Sequence, residues 1–226
     1  NDLSREPQPF KEEVAFILSE SARYLRRAPT RKDVKSVWVG LRPLVKPQDD
    51  DGESTKALSR EHTVLVSRSG LVTVTGGKWT TYRAMAEDVL EKCGEKRLLP
   101  DHAKGVTTNL QLVGSEDLAG NQQSISAPPG LHSYGNEQGV VLAMPGAQAE
   151  LAPGLTEAMV RFGARYEYAR TVEDVLARRS RMLFLDARLA KAVAQRAGDI
   201  LFQETGSDPQ VAAFSSLADA YLRLPE

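Results

Sequence analysis

The sequence predicts an α+β fold in which antiparallel strands and a helix precede an all-α helical bundle. Two runs rich in β-branched residues, at 63–67 and 71–75, predict neighbouring strands. Ser69-Gly70 lies between them, which predicts a tight turn and an antiparallel hairpin. Beyond residue 131 the apolar residues recur at helical spacing, which predicts helices that pack on one another.

A stretch of weak periodicity separates these two patterns. Residues 98–129 are rich in Gly, Ser, Asn, Gln and Pro, a composition typical of an exposed connection between domains. The boundary is therefore predicted inside this stretch. It divides the chain into a first domain at residues 1–105 and a helical domain at residues 106–226.

Three further elements are predicted in the first half of the chain. Apolar residues at helical spacing predict an amphipathic helix over residues 12–27, and Pro29 ends it. The apolar run within residues 33–44 predicts a strand. Helical periodicity then returns over residues 79–96, directly after the predicted hairpin.

Five helices are predicted in the second half, at residues 133–144, 156–169, 172–185, 187–204 and 209–222. Two of their starts carry capping signals. Thr171 and Asp174 have the spacing of a capping box, in which each side chain accepts a hydrogen bond from the other residue's backbone. Asp208-Pro209 has the pattern of an N-cap followed by proline at the first helical position.

Composition excludes several classes of function. The 226 residues are 41% hydrophobic with a net charge of −1, which suits a globular protein and argues against a nucleic-acid binder. One cysteine excludes an internal disulfide, and three widely separated histidines offer no metal-ligand spacing. No apolar run approaches about 18 residues and no signal peptide is recognised, so no spanning helix is expected. We expect a cytoplasmic location, with peripheral contact at the inner face of the cell membrane left open.

The second half carries many arginines, for which two interpretations are open. A basic face could dock on a membrane, or the arginines could form ion pairs with the acids that lie among them. Glu157–Arg161 and Asp174–Arg178 are spaced i,i+4 with the acid first, the favourable order on a helix. This spacing favours a solvated face held by ion pairs.

The strongest local signal is the turn that joins the second predicted strand to the next helix. Gly76 and Gly77 permit a sharp bend, and Lys78 follows them at the helix start. Strand, two glycines and helix N-terminus together direct unpaired backbone N–H groups toward a ligand, so an anionic or electron-rich group suits the turn. The other interpretation is an ordinary tight turn with a solvated lysine.

Two known nucleotide-binding patterns do not fit this turn. A P-loop would need glycine at Val72 and serine or threonine at Trp79, so the sequence departs from it twice. A Rossmann fingerprint needs G-x-G-x-x-G after a strand, and that spacing occurs nowhere in the 226 residues.

Four motifs, in their order along the chain, resemble the FAD-dependent glycerol-3-phosphate dehydrogenases. They are residues 39–44 (VGLRPL), 59–62 (SREH), 76–83 (GGKWTTYR) and 169–179 (ARTVEDVLARR). The resemblance covers nearly the whole chain. It implies the C-terminal portion of such an enzyme, which is the end of the FAD and substrate region followed by the helical domain.

The resemblance implies roles for particular residues. Lys78 would be catalytic and would also contact the substrate, and Arg42 and Arg60 would bind the substrate phosphate through their guanidinium groups. The residues implied to lie beside FAD are Gly76, Gly77, Lys78, Trp79, Thr80 and Thr81. His62 lies near the motif, but it is not assigned as the catalytic base.

The implied reaction is oxidation of sn-glycerol 3-phosphate to dihydroxyacetone phosphate by hydride transfer to FAD. A quinone or oxygen would then take the electrons, a homodimer and peripheral membrane contact are open, and no nucleic-acid partner is expected. Because the dinucleotide fingerprint is absent, the fragment alone is expected to be inactive. The alternative function is a non-catalytic helical module for protein interaction or membrane docking.

Overall fold

A computed structural model describes residues 4, 6–41, 62–100, 105–115, 123 and 127–226. The α+β class is confirmed, because these residues form two antiparallel two-stranded sheets and a larger set of helices. By their contacts the residues form two compact units. The larger unit combines Asn1–Gly40 with Leu112–Glu226, and the smaller one is Leu41–Gln111.

The regular elements follow one another along the chain in this order: α1 (Lys11–Ala22), β1 (His62–Val66), β2 (Val72–Gly76), α2 (Tyr82–Glu95), α3 (Gln138–Leu142), β3 (Glu150–Ala152), β4 (Leu155–Thr156), α4 (Glu157–Tyr166), α5 (Met182–Leu185), α6 (Ala187–Thr205) and α7 (Val211–Tyr221). Short 3-10 turns lie at Arg31–Asp33, Trp79–Thr81 and Leu131–Glu137, and a π-helical segment lies at Asp174–Arg179.

The smaller unit is built on the predicted hairpin. β1 and β2 pair antiparallel, with Val64 opposite Val74 and His62 opposite Gly76. Gly70 closes the connection between them with a φ of +85°, a conformation that glycine adopts without strain. The helix predicted at 79–96 begins as a single 3-10 turn and continues as α2.

The core of the larger unit is centred on α6, which packs against α4, α5 and α7. The largest fully buried side chains are Val141, Val160, Phe162, Val172, Val175, Leu176, Leu183, Ile200, Leu201 and Phe214. The buried face of α6 is formed mainly of alanines and Gly198, which lets neighbouring helices approach closely. A Cβ at Gly198 would lie 2.4 Å from Cγ2 of Val211 at the start of α7.

The strand predicted over residues 33–44 does not form in its described part. Residues 34–41 run without a ladder partner, and backbone groups of Lys35 and Val37 bond to the helical bundle instead. The N–H of Val37 donates to the carbonyl of Tyr221 at 2.8 Å, and the carbonyl of Lys35 accepts from the N–H of Ala187 at 3.2 Å. The extended segment therefore makes two of its backbone hydrogen bonds at the ends of helices rather than in a sheet.

Side chains strengthen the same contact. Lys35 pairs with Asp186 at 2.9 Å, and the Trp38 ring packs edge-on against Phe184 with centroids 5.0 Å apart. Phe184 in turn packs against Tyr221. These contacts explain why residues 1–40 group with the bundle, whereas the sequence assigned them to a first domain of residues 1–105. The division at residue 105 stays a prediction about independent folding.

We expect Trp38→Ala to lower the free energy of unfolding of the larger unit by about 1.5 kcal/mol, because it removes half-buried apolar area and one edge-to-face pair. Urea unfolding of the chain followed by far-UV circular dichroism measures it. Tyr24→Ala is the matched control, since that ring is 83% exposed and its loss should cost less than about 0.5 kcal/mol. Equal losses for the two variants would contradict the contact.

Three of the five helices predicted in the bundle differ from the prediction. The helix predicted at 133–144 is a 3-10 segment at Leu131–Glu137, broken at Gly135, followed by the short α3. The helix predicted at 172–185 is interrupted, because Arg181 adopts a left-handed φ of +56° between the π-helical segment and α5. The predicted start at Asp208-Pro209 is wrong, because α7 begins at Val211 after a left-handed Gln210. The capping box is confirmed: the Asp174 carboxylate accepts from the N–H of Thr171 at 2.9 Å, and the Thr171 hydroxyl accepts from Asp174 N–H.

Among the described residues, five arginines of the bundle pair with acids, though not always with the expected ones. Arg178 pairs with Asp174 at 3.0 Å, as predicted, but Arg161 pairs across the helices with Glu204 at 2.7 Å. A hydrogen bond from Arg165 is the largest effect holding the pKa of Glu204 below its usual value. Within the described residues, no helix is long and apolar enough to cross a membrane.

Candidate functional site

The candidate site is the turn between β2 and α2. Gly76 and Gly77 have φ angles of +77° and +78°, so two consecutive residues lie in the left-handed region. Such a pair requires glycine, because a Cβ in this conformation meets the following carbonyl oxygen. Lys78 then returns to extended backbone and leads into the 3-10 turn at Trp79–Thr81.

Gly77 is confined from two sides. A Cβ there would lie 2.6 Å from the Met85 sulfur on α2 and 3.0 Å from the Cβ of His62 on β1. Both distances are shorter than ordinary van der Waals contact, so the backbone approaches both elements as closely as glycine alone permits. The turn is therefore seated against the strand and the helix that flank it.

The side of the turn that could meet a ligand is open. Lys78, Trp79, Thr80 and Thr81 are exposed, and the indole of Trp79 is 85% exposed and stacks on Tyr82 at 5.5 Å. No side chain caps the 3-10 turn, although the Thr81 hydroxyl donates to the Lys78 carbonyl at 3.0 Å. With respect to the described part of the chain, the first N–H groups of the turn thus keep their donor capacity.

The predicted cofactor-binding residues occur together at this one place. Gly76, Gly77 and Lys78 form the bend, and Trp79, Thr80 and Thr81 form the 3-10 turn that follows it. The two predicted phosphate-binding residues, Arg42 and Arg60, lie outside the described residues. Their roles stay predictions.

The chemistry of this donor set fits the electron-rich edge of a flavin. Backbone N–H groups at a helix start carry partial positive charge, and Lys78 adds an ammonium group on an exposed side chain. Carbonyl and nitrogen acceptors on a planar ring are suitable partners for such donors.

Sequence reasoning missed one contact at the site. His62 Nε2 lies 2.7 Å from Oδ2 of Asp88, which joins the start of β1 to the middle of α2. In the sequence Asp88 resembles any exposed acid on a helix, and no spacing connects it with His62. The contact arises only when the hairpin folds back on the helix.

A second concave region lies in the larger unit and contains none of the predicted site residues. It is an open cleft of about 710 Å³ whose lining includes Tyr134, Glu137, Glu167 and Arg179. Burial raises the pKa of Glu167, and burial together with the charge of Glu167 raises the pKa of Tyr134. No cluster of three metal-ligating side chains occurs in the part of the chain that the structure describes.

Comparison with known families matches the second half of the chain. The model of the C-terminal domain of alpha-glycerophosphate oxidase matches residues 105–212. This region starts close to the predicted domain boundary and ends at the beginning of α7.

Individual relatives match nearly the whole chain. A mitochondrial glycerol-3-phosphate dehydrogenase of Arabidopsis thaliana is 35% identical over 88% of the chain and 36% of its own length. A probable mitochondrial glycerol-3-phosphate dehydrogenase of Caenorhabditis elegans is 36% identical over 91% of the chain and 31% of its own length. The human mitochondrial enzyme is 32% identical over 92% of the chain and 31% of its own length. The chain therefore spans about a third of the length of these relatives.

The names of these relatives correct one expectation. We expected a cytoplasmic location from the lack of a recognised targeting segment, but the similar proteins are named as mitochondrial. The expectation was wrong because a chain that matches only part of its relatives carries no information about the segment that directs them.

Family model, relatives and motif order agree on one assignment. The family model covers the helical half, and the relatives extend the match through the hairpin and the Gly76-Gly77-Lys78 turn. The chain belongs to the glycerol-3-phosphate dehydrogenase family, of which it is a C-terminal portion.

Proposed function

We propose that the chain forms the C-terminal part of a flavoprotein that oxidises sn-glycerol 3-phosphate to dihydroxyacetone phosphate. The observation that carries the proposal is the open turn at Gly76-Gly77-Lys78, where a lysine and free N–H donors stand at a helix start. Relatives named glycerol-3-phosphate dehydrogenases support the substrate. We call the complete polypeptide, with the residues that such relatives carry before the matched region, the longer protein.

FAD, when bound in the longer protein, would supply the acceptor for the hydride that leaves C2 of glycerol 3-phosphate. The N–H groups of Gly77, Lys78 and Thr80 face its pyrimidine edge in this proposal. Their role is electrostatic, because fixed dipoles at a helix start stabilise negative charge without reorganising. The exposed N-terminus of the 3-10 turn supports this assignment.

Lys78 serves the substrate as well. Its ammonium group lies next to the reacting carbon in the proposal and stabilises the substrate oxygen as its proton leaves. Lys78 is exposed and extends from an extended backbone position, so it is not needed to fill a core. The proton goes to a base outside the residues assigned here.

Arg42 and Arg60 hold the phosphate of the substrate in this proposal. A guanidinium donates two parallel hydrogen bonds to a phosphate, which fixes orientation as well as charge. The support for both residues is the resemblance of the motifs around them, at residues 39–44 and 59–62.

Partners of the longer protein follow from the same reaction. A quinone or oxygen would take the electrons, and the longer protein would lie in the mitochondrion, as the names of its relatives say of them. A homodimer and peripheral membrane contact remain part of the proposal for the longer protein only.

The test compares flavin content. The purified chain should be colourless, because it lacks the segment that would hold the pyrophosphate and ribose of FAD. The longer protein should purify with a stoichiometric flavin spectrum. A yellow chain would show that the missing segment is unnecessary, and a longer protein that binds no flavin would favour the non-catalytic helical module.

A further inference from the structure

We propose that His62 and Asp88 form a positioning pair that fixes the Gly76-Gly77-Lys78 turn for its role beside the flavin. The inference rests on the proposed function and extends it to two residues that the proposed function does not use. The role of the pair is mechanical, because it holds α2 against the hairpin at the point where Lys78 emerges.

Three elements meet at this point. His62 begins β1 and pairs with Gly76 at the end of β2, while its Nε2 reaches Asp88 Oδ2 on α2 at 2.7 Å. His62 is mostly shielded, with 23% of its side chain exposed, whereas Asp88 is 52% exposed. A shielded imidazole bonded across two elements has one geometry, so it transmits the position of the helix to the strand.

The pair works together with a second contact one helical turn earlier. Met85 lies under Gly77, and the site of a Gly77 Cβ would be within 3.0 Å of both Met85 and His62. Met85 and Asp88 are spaced i,i+3, so they lie on one face of α2. Because α2 is held at two successive turns, it cannot rotate about its axis as it could if the flexible Met85 were its single contact.

Two other ion pairs in the same unit do not fix the position of α2 against the hairpin. Arg83–Glu87 and Lys92–Glu95 lie along α2 itself, at i,i+4 and i,i+3. Such pairs support the helix but do not define where it sits. Lys92–Glu95 therefore offers a matched control on the same helix, away from the turn.

In the hydrogen bond between His62 and Asp88, the imidazole can be the donor in either of its charge states. Nε2–H donates to the Asp88 carboxylate when the ring is neutral in that tautomer and when it is an imidazolium. Positioning therefore needs a donor at this place rather than a charge. His62→Gln keeps an N–H donor at the end of the side chain and serves as the conservative variant.

The first experiment uses the chain itself and measures exchange of the Thr81 amide, which donates to the Lys78 carbonyl at 3.0 Å and so closes the turn. His62→Ala and Asp88→Ala should each accelerate this exchange about tenfold, and the double variant should be no faster than either single one. His62→Gln should restore slow exchange, and Lys92→Ala should leave the Thr81 amide unchanged. Exchange at Val64 and Val74, paired in the middle of the hairpin, should not change in any variant.

Two results would overturn the positioning role. If His62→Ala speeds exchange equally at Thr81 and Val74, the pair merely stabilises the whole unit. If exchange at Thr81 does not respond, the pair does not hold the turn.

The second experiment uses the longer protein and follows anaerobic reduction of its flavin by glycerol 3-phosphate in a single turnover. His62→Ala should slow reduction about tenfold with little change in the substrate dissociation constant, because a small misplacement weakens the transition state more than the bound substrate. His62→Gln should recover most of the rate.

The two experiments separate the inference from the function on which it rests. If glycerol 3-phosphate does not reduce the flavin of the longer protein, the proposed function is overturned, even if exchange at Thr81 responds as expected. If glycerol 3-phosphate reduces the flavin of the unmodified longer protein, and reduces that of the His62→Ala variant at the same rate, the inference alone is overturned.

Discussion

Replacing Lys78 with methionine in the longer protein is expected to slow flavin reduction by glycerol 3-phosphate about a hundredfold, a loss of roughly 3 kcal/mol. Hydride transfer places negative charge on the cofactor while the substrate hydroxyl gains alkoxide character. A fixed cation beside both groups stabilises the transition state more than the ground state. Methionine nearly keeps the length of the side chain and removes the charge.

Structure and kinetics must be separated in this test. Lys78 is exposed, so Lys78→Met should leave the melting temperature unchanged within about 1 °C. Lys96→Met removes an exposed lysine just beyond α2 and should react at the wild-type rate. Arg42→Met should mainly weaken substrate binding. A normal reduction rate in correctly folded Lys78→Met would make Lys78 a solvated turn residue.

Gly77→Ala is expected to lower the free energy of unfolding of the smaller unit by about 3 kcal/mol. Two costs contribute. The backbone φ of +78° is strained for any residue with a Cβ, and the new methyl group would lie 2.6 Å from the Met85 sulfur. Either Met85 moves or the turn opens, and both outcomes disturb the place where Lys78 emerges. Amide exchange at Val64 and Val74, in the hairpin, measures the loss.

Gly94 provides the matched control, because it lies in α2 with nothing within 4 Å of its Cβ position. Gly94→Ala should stabilise the helix by up to about 1 kcal/mol through its higher helix propensity. The double variant Gly77→Ala with Met85→Ala relieves the contact with Met85 and leaves the backbone strain and the 3.0 Å approach to the Cβ of His62. If Gly77→Ala leaves the free energy of unfolding unchanged, or raises it as Gly94→Ala is expected to do, the turn is not confined as the structure describes.

The hairpin and its turn could be predicted because their signals are local. β-Branched runs at 63–67 and 71–75, a glycine between them and two glycines after them describe the same short stretch of chain. In the structure each strand is shifted by a single residue from its predicted bounds. The resemblance then gave this turn its functional meaning, which the local pattern alone left open against an ordinary turn.

The elements that sequence missed depend on contacts between distant residues. The apolar run around Val37 suits a strand, yet its backbone partners are Tyr221 and Ala187, far along the chain. The small β3–β4 hairpin was missed because its strands are only three and two residues long. Its turn is fixed at Gly154, where a Cβ would lie 2.0 Å from the Pro129 carbonyl oxygen.

In the candidate site too, the features that local sequence determines could be predicted, and those that depend on distant contacts could not. Gly76, Gly77 and Lys78 could be named from sequence, because glycine pairs and a following lysine have direct geometric consequences. The His62–Asp88 contact could not, since it depends on how α2 packs against the hairpin. The predicted phosphate ligands Arg42 and Arg60 rest on the resemblance, and only substrate binding by the longer protein tests them.

The most direct test of the central claim is anaerobic mixing of the longer protein with sn-glycerol 3-phosphate while flavin absorbance is recorded. The proposed function predicts stoichiometric bleaching of the flavin and formation of one dihydroxyacetone phosphate per flavin. Retention of the oxidised flavin spectrum at saturating sn-glycerol 3-phosphate would contradict it.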